Sequence, residues 1–123
     1  MTYAPVTLPE AEATEALAWS AEPALTATDM VVDNVDRAVG SFSFRDHHGF
    51  ERRLNMAPHV NSSSKVFVSI CELGVFGGQV RPHQGLASME VHNVVPHDDG
   101  IVIVRGYIGW DTDLNVRLSV FVA

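Results

Sequence analysis

Cysteine is almost absent from this chain. Cys71 stands alone among 123 residues, so no internal disulfide framework is possible. No apolar run approaches the about 18 residues that a bilayer-spanning helix needs, so membrane insertion is not expected. The opening residues, MTYAPVTLPEAEA, contain neither a basic stretch nor an apolar one. No secretory signal is therefore expected, and the chain is expected to be cytoplasmic as made. Charge is sparse at 19%, below the roughly one quarter usual in globular domains. Positive charge is scarcer still. The net charge of −7 excludes nucleic-acid binding through bulk electrostatics.

Basic residues are missing altogether from positions 1–36, which carry Glu10, Glu12, Glu15, Glu22, Asp29, Asp33 and Asp36. From 37 to 123 acids and bases balance, so the acidity belongs to one segment and not to the whole surface. Pro5, Pro9 and Pro23 punctuate that segment, and EAEATEALAW after Pro9 could form two or three helical turns. Leu17, Trp19 and Leu25 are too few to build a core there. Residues 1–36 are thus expected to be an acidic arm or tail. Either it is loosely attached, or it docks on a neighbouring subunit through Trp19 and Leu25.

What is abundant is apolar side chains, 46% of the chain, too many for disorder and enough for one core. From about residue 37 the apolar period becomes two. Strands are expected over 39–45, 49–56, 65–73, 86–94, 100–110 and 114–122. KVFVSICEL at 65–73 is the clearest of these, with Val66, Val68 and Ile70 on one side. The connectors 46–48, 57–64, 77–85, 96–100 and 111–113 are rich in Gly, Pro, Asp, Asn, Ser and His. None could hold a crossover helix, which argues against a parallel sheet. The expectation is all-β: a six-stranded antiparallel β-sandwich over 37–123 with an N-terminal arm over 1–36.

Catalytic signals are weak. Ser62–Ser64 lie near His59 in a polar loop with no nucleophile elbow. Cys71 alternates with apolar residues, reading as buried and inert. Paired carboxylates for glycoside hydrolysis would need a deeper cleft than so small a sandwich offers. His47 and His48 are adjacent, so on a strand their rings would point to opposite faces and could not chelate one ion. His97, Asp98 and Asp99 precede Gly100 and read as turn chemistry, and His83 as a solvated loop residue. No enzyme, cofactor or metal is expected.

The order of features over 37–123 resembles the H-type lectins, the fold of snail agglutinin and the discoidin C-terminal domain. Phe50, Leu54 and Pro58 resemble the family's aromatic strand running into a proline. KVFVSICELGV at 65–75 is similar to its third strand. Arg81, MEVHNV at 89–94, Gly100, GWDTDL at 109–114 and SVFVA at 119–123 then follow in family order. The resemblance implies a six-stranded sandwich assembled as a trimer. It further implies binding of galactose or N-acetylgalactosamine between protomers, without catalysis or metal. Carried over, it makes Trp110 the tryptophan at the binding edge, Asp111 its neighbour and Arg81 the sugar-binding arginine. The Ser and Asp contacts fall near Ser41, Ser43 and Asp46. The chain departs from the family in its longer 96–99 loop and in having Leu114 and Asn115 where an aromatic is expected.

Sugar binding at this edge also has a physical basis. An aromatic face covers a sugar's C–H face, and Asp and Arg bond its vicinal hydroxyls. Trp110, Asp111 and Asp113 share one turn. The competing expectation is that Trp110 packs at the rim and the aspartates merely form an Asx turn. A second class of function is a structural subunit of a virion or other particle released by lysis. Its acidic arm would dock on other particle subunits.

Overall fold

The computed structural model describes residues 23–123, so Trp19 and most of the expected arm lie outside the described residues. The described residues form eight strands and no helix: β1 (Asp29–Asn34), β2 (Arg37–Asp46), β3 (His48–Asn55), β4 (Val66–Phe76), β5 (Gln79–Pro82), β6 (Ser88–Pro96), β7 (Ile101–Gly109) and β8 (Leu114–Val122). Among them no helix is long and apolar enough to cross a membrane.

All strand pairs are antiparallel. One sheet runs β1-β2-β8-β4-β5 and the other β3-β7-β6. The reason is visible in the alternation. On β7, Val102, Val104 and Ile108 are fully buried while Arg105 and Tyr107 are exposed. On β8, Val116, Leu118 and Val120 are buried and Phe121 is exposed. Each of these strands therefore has one apolar side, and stacking the two sheets buries both sides together with Phe42, Leu54 and Met56. The result is sandwich-like. Within the three-stranded sheet Gly106 leaves room for its neighbours, since a Cβ there would meet the Phe50 ring of β3 and the Glu90 carbonyl of β6.

The strand count is eight rather than six. β5 was hidden in the expected connector 77–85. Gly77 and Gly78 have φ of +58° and +78° and form the two-residue turn of a tight hairpin with β4. β5 is only four residues long, all exposed, so it shows no buried face for alternation to reveal. β1 was hidden inside the expected arm. Only Met30 of its six residues is even partly buried, and main-chain pairing from Asp29↔Ser41 to Asn34↔Arg37 holds it to β2. Residues 29–34 are thus an edge strand of the domain.

Leu25 is committed to its own chain. Its N–H donates to the Arg53 carbonyl at 2.7 Å, its carbonyl accepts from Asn55 N–H at 3.0 Å, and its side chain packs on the core. The segment entering β1 therefore lies along the open edge of β3.

Candidate functional site

The chain changes sheets between β2 and β3 and again between β7 and β8. Both crossings fall at one end of the molecule, so Asp46-His47-His48 and Trp110–Asp113 meet on one rim. His48 carries a φ of +59°. This left-handed backbone breaks strand alternation, and the two imidazoles lie edge to face with centroids 4.8 Å apart. The expectation that they point to opposite faces is corrected here.

Each imidazole then takes one aspartate of the opposite crossing. His47 Nδ1 donates to Asp113 Oδ1 at 2.7 Å, and His48 Nε2 to Asp111 Oδ1 at 3.3 Å. The His48 ring lies parallel to Tyr107 at 6.0 Å. Asp46 accepts from His47 N–H at 2.8 Å and from Arg52 at 2.7 Å, and Arg52 also stacks on Phe44 at 4.5 Å. Arg52 occupies an inward position of β3, so the pair is three-quarters buried and fixes the rim from beneath. Asp46, His47 and Asp113 place one ligand atom each within 4.8 Å of one another. Hydrogen bonding among them and to Arg52 accounts for that closeness.

Trp110 follows as the first residue after β7 and remains 41% exposed. It lines a cleft of about 390 Å³ with Glu72, His83, Gln84, Leu86 and Leu114. Glu72 faces inward opposite Val116, where the pairing of β4 with β8 ends, and His83 N–H donates to the Glu72 carbonyl at 2.9 Å. The Glu72 carboxylate approaches the cleft floor at Gly85. Leu86 is 93% exposed beside it. The cleft thus offers an aromatic face, an aliphatic lip and carboxylate, imidazole and amide groups for bonding hydroxyls.

The structure brings Trp110, Asp111, Asp113 and Asp46 to one rim and leaves two expected residues elsewhere. Arg81 lies on β5 opposite Gly74, its guanidinium 5.0 Å from the Phe76 ring centre, and does not line the Trp110 cleft. Ser43 points outward from the five-stranded sheet, in a separate groove with Leu73, Val75 and Val80. Glu72 and Gln84 were not singled out from the sequence. For Glu72 a signal existed: it carries a carboxylate at the position where Val66, Val68 and Ile70 predict an apolar residue. Cys71 is half-buried.

At the opposite end Asp98 joins two loops. Its carboxylate accepts from Ser62 N–H at 2.8 Å. Hydrogen bonds from the Ser62 hydroxyl and amide, with a smaller contribution from His97, hold its pKa below the usual carboxylate range.

Comparison of the chain with protein-family models, curated proteins and solved structures finds no match.

Proposed function

We propose that this protein is a non-enzymatic carbohydrate-binding protein of the galactose or N-acetylgalactosamine type, with Trp110 as its stacking platform. One observation carries the reading: Trp110 keeps an exposed face in a cleft that it shares with Glu72, His83 and Gln84. A tryptophan serving only the rim would be covered, whereas a sugar needs an open ring beside hydroxyl-bonding groups. Asp111, whose side chain is fully exposed, stands next to it. Glu72, His83 and Gln84 supply further polar partners. Arg81 and Ser43 reach a sugar only if a second protomer presents them, which accords with the interprotomer sites and trimer that the resemblance to H-type lectins implies. Glycans are the proposed ligands, in the chain alone or as a component of a larger particle.

The test is a glycan array on the purified protein, with Trp110→Ala beside it and circular dichroism as the folding control. Expected is binding competed by free galactose or N-acetylgalactosamine, reduced at least tenfold in the variant. Undiminished binding by folded Trp110→Ala removes Trp110 from the site. Absence of any glycan binding favours the second reading, a structural subunit. The specific observation in its favour is the uncovered apolar row on the five-stranded sheet.

A further inference from the structure

Two arginines face outward from the five-stranded sheet near the rim. Register sets Arg117 between Ser43 of β2 and Cys71 of β4, and Arg45 opposite Asn115 at the next outward position toward the rim. Arg37, Arg52 and Arg105 each take a carboxylate. Among the described residues Arg45 and Arg117 take none. Asp29 shares the face from β1, opposite Ser41, and pairs with neither. Arg117 is half-buried, and its Nε is shielded from solvent with no hydrogen-bond partner among the described residues. Drawing a guanidinium out of water without an acceptor is costly, so the missing partner is an anion. Ser43, Arg45 and Asn115 line a groove of about 440 Å³ beside it, whose other wall is Leu73, Val75 and Val80. A fitting occupant carries carboxylates together with apolar side chains. The exposed apolar row of Val31, Val39, Phe121 and Phe67 lies toward the other end of the same face, outside this groove.

We propose that the acidic segment 1–22 docks in this groove of its own chain, with its glutamates on Arg45 and Arg117. Its charge is complementary: Glu10, Glu12, Glu15 and Glu22 come with no Lys or Arg. Leu17 and Trp19 supply apolar side chains for the Leu73 and Val80 wall. The place where the segment joins the domain also fits. Leu25 lies parallel to β3 at Leu54, so the residues before it head toward the start of β3. That start is the rim where β2 ends, and Arg45 is the last residue but one of β2. Sheets stack about 10 Å apart, so a path of roughly 20 Å round the rim reaches the outer face. About six or seven extended residues at about 3.3 Å each cover it, which brings Glu15, Glu12 and Glu10 within reach of the arginines. The carboxylates neutralise both guanidiniums, and the segment shields the groove's apolar wall. The contact does not depend on sugar binding.

A nitroxide label on the full chain tests it, attached at Ala13→Cys with Cys71→Ser removing the other thiol, and read by broadening of backbone amide signals. Broadening is expected at Ser43, Arg45, Asn115 and Arg117. It should be lost in Arg45→Gln/Arg117→Gln, and also in about 0.5 M salt, which screens the ion pairs. Both arginines face outward, so a cooperative thermal melt should survive in the double variant, and the salt arm reads the same contact without that substitution. No broadening at these amides with both arginines present overturns the proposal, as does broadening that neither salt nor the folded double variant reduces. Broadening confined to the three-stranded sheet overturns it by placing the segment on the other face. Broadening carried from a labelled chain to an unlabelled, isotope-enriched one in a mixture overturns it by making a neighbouring copy the donor.

Discussion

Asp98 shows how a single exposed carboxylate can matter. Its hydrogen bonds from Ser62 join the 57–64 loop to the β6–β7 turn and depress its pKa. Such a group binds its proton less readily when folded than when unfolded. Its contribution to stability is therefore complete above the unfolded pKa and is lost as pH falls through the folded one. Urea midpoints of the wild type and Asp98→Asn should differ near about pH 6, and the difference should shrink as pH falls through the lowered pKa of the folded carboxylate. A difference unchanged by acid would show that the carboxylate's charge is not what joins the loops. Asp98 read as turn chemistry in sequence, because Ser62 lies 36 positions away and only folding makes it the partner.

At the scale of elements, alternation of period two was enough to find β2, β3, β4, β6, β7 and β8. Each buries one side against the core, and that burial is written into the residues. β1 and β5 bury almost nothing and are held by main-chain bonds that any sequence can make. The rim was half legible for the same reason. Trp110, Asp111 and Asp113 are neighbours in sequence, but the partners His47 and His48 lie 66 and 63 positions from Asp113 and Asp111. His47→Ala should therefore loosen the 110–113 loop with little global cost, up to about 1 kcal/mol for an exposed pair. Amide exchange at 110–113 should accelerate while exchange in β8 stays slow. Equal acceleration in both would mean that the histidine supports the whole fold and not the loop.

At the scale of the molecule, the tryptophan cleft lies at one end, and the proposed trimer would present several copies of it together. On the proposed reading a shallow cleft of about 390 Å³ would hold a monosaccharide weakly, and linking several such sites would multiply avidity by about 10² or more. Retention on a densely glycosylated surface should accordingly exceed retention on a sparse one by that order. Equal retention at both densities in the unmodified chain would remove multivalency from the mechanism.

The residues alone determined that the fold is all-β and antiparallel, that the core lies on one side of each long strand, and that Trp110 and its aspartates share a turn. Those properties follow from local spacing, since a strand's two faces are set by parity. Only the tertiary structure decided that Leu25 closes on its own domain, that β1 and β5 widen one sheet to five strands, that Arg52 anchors Asp46 from beneath, and that Glu72 and His83 face Trp110. These are pairings between distant segments. They arise because stacking two sheets brings their crossings to common ends, a consequence of topology that no stretch of sequence carries by itself.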